Sequence, residues 1–248
     1  MPFQQELPHA HFENLTRLSE DYWWYQNRIQ MILSLLQNIS LDRPNILDLG
    51  CGPGIILQSL SKKLNASTAV GVDASDSAAK AFAQKGITFV QQDLSKPDNS
   101  TIGTFDLALT NDVLEHLPNE SPLIATAHRC LKPGGFFLAS VPGLPSLYSS
   151  WDKKLGHYRR YTRDSLSRVI QQSGFQIRRA TYAFAYSVPP ALVYRFLHRY
   201  SDEDCLFPKL PHFLNRSLIV LGDIEASLAS KFSIPFGLSV FVLAQKTG

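Results

Sequence analysis

Apolar side chains at Leu15, Leu18, Tyr22, Tyr25, Ile29, Ile32, Leu33 and Leu36 recur near a 3.6-residue period, which predicts a single amphipathic helix over residues 12–38. Asp42-Arg43-Pro44 breaks the pattern. Short apolar runs then alternate with amphipathic ones. Asn45–Leu49 predicts a buried strand, followed by a glycine turn and a helix over 54–64. Thr68–Val72 predicts a second strand and a helix over 76–85; Ile87–Val90 and Phe105–Leu109 predict a third and a fourth strand. Ser121-Pro122 reads as N-cap and first-turn proline of a helix running to Leu131, and Pro133-Gly134-Gly135 turns into a fifth strand at Phe136–Val141. Strand and helix in this alternation predict βαβ units and a parallel sheet covered on both faces.

Beyond Val141 the regularity lapses into a proline-glycine loop (142–145) and a basic stretch, Trp151–Thr162. A helix over 163–173 stops at Gly174, and Phe175–Ala183 reads as a sixth strand. Residues 184–235 are apolar and aromatic without strand signals, broken by Pro189-Pro190, Pro208 and Pro211, and Leu238–Ala244 closes the chain as a β-rich run. The layout is one domain: a helical cap (1–44), a ligand-binding core (45–183), a helical insertion or lid (184–235) and a last strand (236–248).

Composition agrees with one elaborated α/β domain: 248 residues, 44% of them hydrophobic. Cys51, Cys130 and Cys205 are scattered and form no CxxC, so neither a disulfide framework nor a zinc cluster is encoded. The start lacks a basic region followed by an apolar run, and no uncharged apolar stretch reaches the roughly 18 residues of a spanning helix. A cytoplasmic protein is expected. Charge changes the picture, because the net +3 hides an asymmetry. Residues 1–150 carry 10 Lys/Arg against 14 Asp/Glu, and residues 151–200 carry 10 against 2. Such a basic segment either solvates helix faces or meets an anionic partner.

The chemistry concentrates in Ile46-Leu47-Asp48-Leu49-Gly50-Cys51-Gly52-Pro53-Gly54, a strand emptying into a glycine turn before a helix. Glycines there let the backbone lie against a ligand that would collide with any Cβ. The dinucleotide spacing G-x-G-x-x-G fails, since position 55 is Ile. Asp48 places a carboxylate beside the turn, unwelcome next to a diphosphate and suited to a cationic ligand. Asp73 ends the second strand, about 20 residues past the turn, where such units place their ribose ligand. Taken singly, Asp73 and Asp93 also read as loop caps; together they lie at the C-terminal ends of successive strands, where open α/β sheets bind ligands.

This stretch resembles motif I of the class I S-adenosylmethionine-dependent methyltransferases. Phe105–Leu117 resembles the family's fourth-strand motif, and Leu131-Lys132-Pro133-Gly134-Gly135-Phe136 resembles its turn into strand five. The resemblance covers residues 46–141. It implies a three-layer, doubly wound, mostly parallel seven-stranded sheet and S-adenosylmethionine as cofactor, with S-adenosylhomocysteine as product. It assigns cofactor contacts to Asp48, Gly50, Cys51, Gly52, Gly54, Asp73, Ala74, Asp93, Leu94 and Asn111. Ser19–Arg28, with Trp23-Trp24, resembles the cap of a type 11/type 23-like subgroup, in which Arg28 would meet the cofactor's carboxylate and Trp24 would wall the pocket. Trp151–Thr162 resembles the subgroup's Gly-His-x-Arg-Arg-Tyr element, which gives Tyr158, Arg159, Arg160 and Tyr161 to the acceptor.

Methyl transfer from a sulfonium to an oxygen or nitrogen that loses a proton needs a base, and His157 and His116 are the candidates. Asp112 and His116 are four apart, but no third ligand is in sight, so no metal is expected. The apolar insertion over an arginine pair suggests a small amphiphilic or lipid-linked acceptor and contact with a membrane surface. Nucleic acid is disfavoured, because Thr110-Asn111-Asp112-Val113 stands where base N-methylation has Asn/Asp-Pro-Pro-Tyr. Two other readings stay open: a non-catalytic binder of the same cofactor, and a nicotinamide oxidoreductase.

Overall fold

The structure, a computed structural model, describes residues 9–18, 20–83, 87–96, 102–197 and 209–247, with side chains of 9–11 and 194–197 left aside. Its centre is a seven-stranded sheet in the order β3-β2-β1-β4-β5-β7-β6. The strands are β1 (Asn45–Leu49), β2 (Thr68–Asp73), β3 (Thr88–Gln91), β4 (Phe105–Asn111), β5 (Leu131–Pro142), β6 (Phe175–Ala183) and β7 (Ser239–Lys246). All neighbours pair parallel except β7, which runs antiparallel between β5 and β6. The doubly wound, three-layer architecture expected from the sequence is the one found.

Helices α1 (His9–Arg17), α2 (Trp23–Leu36), α3 (Ile55–Lys63), α4 (Asp76–Phe82), α5 (Ser121–Cys130), α6 (Ser150–Lys154), α7 (Arg163–Gln172), α8 (Val188–Leu197) and α9 (His212–Ala229) surround the sheet. One face packs under Leu123, Ile124, Leu166 and Ile170 of α5 and α7. The other packs under Ile29, Ile32, Leu57 and Ala226 of α2, α3 and α9. Strands buried on both sides explain why β1, β4 and β5 read as continuous apolar runs.

At three boundaries the departure from the sequence reading has a visible cause. The single N-terminal helix is two, broken before Tyr22, which is extended (φ −71°, ψ 134°). The break is secured from far away in sequence: Trp23 N donates to Asn215 Oδ1 (2.9 Å), and Asn215 Nδ2 donates to the Asp21 carbonyl (3.0 Å). Residue 215 lies in the insertion, so periodicity within the cap carried no sign of it. The N-cap of α5 is Glu120 instead of Ser121, and Asn119 Oδ1 accepts from Ser121 N at 3.1 Å. Strand β5 begins at Leu131, because Leu131 already pairs with Phe105 ahead of a register shift. Part of the expected lid lies outside what is described, namely the side chains of Tyr194, Phe196 and Leu197 and the whole of Phe207, as does Cys205. No helix among the described residues is long and apolar enough to cross a membrane.

Candidate active site

A cavity of about 1170 Å³ opens over the C-terminal ends of β1, β2 and β4, roofed by α2, α8 and α9. Its floor is the turn after β1. Gly50 N and Cys51 N both donate to the Val72 carbonyl (2.8 and 3.1 Å), which draws the chain sharply across the strand ends. Gly50 is left-handed (φ +81°), and a Cβ there would lie 2.3 Å from Val113 Cγ2. Gly52 is also left-handed (φ +50°), and a Cβ there would project into open space on the cavity side. Gly54 lines no part of the cavity; it packs against the Phe82 ring at the start of α3.

Asp73 ties this floor together. Its Oδ2 accepts from Gly52 N (2.9 Å) and its Oδ1 from Ser75 N (3.0 Å), while Ser75 Oγ caps α4. Asp48 is fully buried beside it, with Oδ1 lacking any hydrogen-bond partner. Burial, then the Asp73 charge, pushes its carboxyl up to about 7. Asp93 takes Ser95 N and Lys96, which hold it below the usual carboxylate range despite some burial. Asp48, Gly50, Cys51, Gly52, Asp73, Ala74, Asp93, Leu94 and Asn111 all line the cavity.

From the cap, α2 lowers Arg28 into the wall, 1% exposed. Its guanidinium pairs with Asp112 (Nη2–Oδ2 2.8 Å), donates to Ser140 Oγ (2.5 Å) and lies 4.3 Å from the centre of the Trp24 ring. Asp112 adopts a left-handed conformation (φ +53°), a strain that its ion pair with the buried Arg28 holds in place. Arg28 and Trp24 therefore line the cavity as expected, with Arg28 already engaged by protein groups.

The histidines line the same cavity. His116 and His157 meet edge to face, ring centres 4.6 Å apart. His157 Nδ1 lies 3.1 Å from Asp152 Oδ1, an aspartate with no exposed surface that also receives Arg160 Nε (2.6 Å) and Ser149 N (2.9 Å). Beside them Glu115 is completely buried, and neither carboxylate oxygen has a hydrogen-bond partner. Burial raises its carboxyl well above the usual range, and the Asp112 charge adds to this.

The basic element is divided. Arg160 and His157 face the cavity. Arg159 does not: it turns to Glu120 (2.5 Å) and the Pro118 carbonyl (2.6 Å). Tyr158 points outward, 46% exposed, and Tyr161 is core, bridged to Gly143 and donating to the Leu114 carbonyl. The expected acceptor contacts of Tyr158, Arg159 and Tyr161 are thus not assembled. Glu115 and Gln92, which line the cavity, and Asp152, which holds His157 and Arg160 from behind, escaped the sequence reading. A signal existed for Asp152 in the capping-box spacing Ser149-Ser150-Trp151-Asp152.

These residues fit a zwitterionic nucleoside. Acids stand at the ends of β2 and β3, glycines floor the turn, and Asp48 Oδ1, Asn111 Nδ2 and both Gln92 amide atoms are buried without partners. A strand-end cavity of this kind marks a nucleoside-binding α/β protein. Residues 23–180 match the methyltransferase domain family, and the chain belongs to it. S-adenosylmethionine is that family's methyl donor.

Among curated relatives, a trans-aconitate 2-methyltransferase of Deinococcus radiodurans is 31% identical over 140 residues, 51% of this chain and 53% of the relative. A ubiquinone biosynthesis O-methyltransferase of Coxiella burnetii is 24% identical over 203 residues, 71% of this chain and 86% of the relative. The match spans about half the length of the first of these relatives. A phosphoethanolamine N-methyltransferase 2 of Haemonchus contortus superposes with TM-score 0.58 at 16% identity, covering 96% of this chain and 60% of that one. A [4+2]-cyclase superposes with the same score at 18% identity, covering 94% and 84%, so the fold alone does not fix the reaction.

Proposed function

We propose that the chain transfers a methyl group from S-adenosylmethionine to an oxygen or nitrogen of a small amphiphilic acceptor. The observation carrying this reading is the mixed lining of a single strand-end cavity. One cavity is lined both by acids and glycines suited to the nucleoside and by His116, His157 and many apolar side chains. Asp73 would hold the ribose hydroxyls, and the Gly50–Gly52 backbone would lie against the amino acid part. When bound, the cofactor supplies an electrophilic methyl carbon. The chain's own work is to hold the acceptor in line with that carbon, a positioning effect worth roughly 7–11 kcal/mol, and to activate the acceptor atom beside His157. Asp152 fixes the orientation of the His157 ring for that task.

An amphiphilic acceptor is supported by Trp23, Phe184, Leu214 and Leu218, apolar side chains that line the same cavity as the histidines. Exposed Phe213 and Ile224 on α9, with Phe232 and Phe236 beyond it, support contact with a membrane surface. Nucleic acid is disfavoured further, because Arg159 and Arg160 are spent on Glu120 and Asp152. Incubation with methyl-labelled cofactor and fractionated cell extract tests the reading: label should enter a small-molecule fraction, vanish in Asp73→Ala and fall in His157→Ala. Cofactor binding without transfer would make the chain a sensor instead. Liposome sedimentation tests the membrane contact, and recovery of all protein in the supernatant would remove it.

A further inference from the structure

Glu115 poses a problem that the proposed reaction leaves unsolved. A carboxylate with no exposed surface and no hydrogen-bond partner for either oxygen is costly to keep unless a ligand completes it. The two arginines nearest to it are engaged elsewhere: Arg28 with Asp112, and Arg160 with Asp152. With both arginines so engaged, the Glu115 carboxyl group keeps no partner of its own in this part of the wall.

The neighbours of Glu115 supply the rest of a site. One ligand atom each from Glu115, His116 and His157 lie within 4.8 Å of one another. Around a tetrahedral ion with bonds of about 2.1 Å, such atoms sit about 3.4 Å apart, a closure within the reach of side-chain rotation. His157 is already oriented as metal-bound histidines are. Its Nδ1 faces the buried Asp152 carboxylate at 3.1 Å, which leaves Nε2 for an ion. Asp152 is itself fixed by Ser149 N and Arg160, so the ring is held by a rigid support. Two imidazoles and one carboxylate, with the cavity at the remaining position, form the donor set of an open, borderline-soft divalent site.

We propose that Glu115, His116 and His157 bind a divalent transition ion of the zinc class, and that this ion holds and activates an oxygen of the methyl acceptor. The ion-binding part stands independently; the catalytic part rests on the methyl-transfer reading. An acceptor hydroxyl bound to the ion loses its proton to solvent near neutral pH. Its lone pair forms the new carbon–oxygen bond as the methyl carbon–sulfur bond breaks, the bonding electrons staying on sulfur. The products are the methyl ether, the neutral thioether and one proton.

The test uses the full chain without an affinity tag, stripped with a chelator and titrated anaerobically with Co²⁺. One equivalent per chain should bind with the visible d–d bands of a low-coordinate site, and Zn²⁺ should abolish them stoichiometrically. Glu115→Gln and His157→Ala should remove the bands, Asp152→Asn should weaken Co²⁺ binding about 10–100-fold, and the distant His128→Ala should change nothing. Retained S-adenosylhomocysteine binding certifies that each variant is folded, and the isosteric Glu115→Gln carries the comparison should His157→Ala fail to fold. Absence of bands, or bands of equal affinity in Glu115→Gln and His157→Ala, overturns the proposal; a cationic acceptor seated on Glu115 would give that result. Cobalt bands without S-adenosylhomocysteine binding would keep the ion site and sink the methyl-transfer reading instead.

Discussion

Asp48→Asn isolates the least comfortable group in the cofactor floor. The wild-type carboxyl is buried beside Asp73, and its pKa moves from 3.8 to about 7. At about 1.4 kcal/mol per pH unit that gap amounts to about 4 kcal/mol between the two protonation states. The folded chain keeps the proton to higher pH than the unfolded chain does. Stability from this group is therefore full below pH 3.8 and is lost as pH rises towards about 7. Between pH 5 and 8 the loss is about 3 kcal/mol, which in a chain of this size corresponds to about 6–12 °C in Tm. An asparagine of the same shape carries no such penalty. Melting curves at pH 5 and pH 8 should show the variant gaining on the wild type at the higher pH, by up to that margin. The variant should nevertheless bind S-adenosylmethionine more weakly at pH 8, because the negative charge facing a cationic ligand is gone. Equal pH dependence in the two proteins, or a variant less stable than wild type at pH 8, would refute the reasoning.

Asp73→Asn should weaken S-adenosylhomocysteine binding by about 10–100-fold, the value of one or two charge-assisted hydrogen bonds, and Asp73→Ala by more, since Gly52 N and Ser75 N also lose their acceptor; calorimetry reads both. Gly50→Ala should lower Tm through the clash with Val113, and Val113→Ala in the same chain should restore only part of it, because the left-handed backbone stays strained. Arg28→Met should cost about 1–3 kcal/mol in denaturant unfolding by leaving the partly exposed Asp112 carboxylate and Ser140 without the guanidinium, and adding Asp112→Asn should recover part of that loss. Arg28→Lys should rescue poorly, since one ammonium cannot meet Asp112 and Ser140 while also sitting over the Trp24 ring.

The strands and the cofactor floor were legible because both depend on local pattern. β1, β4 and β5 are buried on two faces and so read as apolar runs; the turn after β1 needs glycine whatever surrounds it. The acceptor end was not legible in the same way. Arg159 and Arg160 are adjacent and alike in sequence, yet one meets Glu120 outside the cavity and the other lines it, held by the buried Asp152. Which acid each finds depends on how the irregular segment after β5 folds back over β4. Tyr161 looked like a contact residue and is core, because the backbone hydrogen bond from Tyr161 N to the Pro142 carbonyl turns its ring inward. Glu115 and His116 are neighbours in the chain, but only the fold brings His157 to them. For that reason Asp112 and His116 seemed a pair without a third ligand.

The account depends on the turn after β1 receiving a sulfonium nucleoside and not a dinucleotide. Isothermal calorimetry of the purified chain against S-adenosylhomocysteine and, separately, against NADH puts the two side by side. Saturable one-to-one heat with the first and none with the second is the predicted result. Uptake of NADH by a chain indifferent to S-adenosylhomocysteine would contradict the assignment of the floor, and with it the proposed reaction.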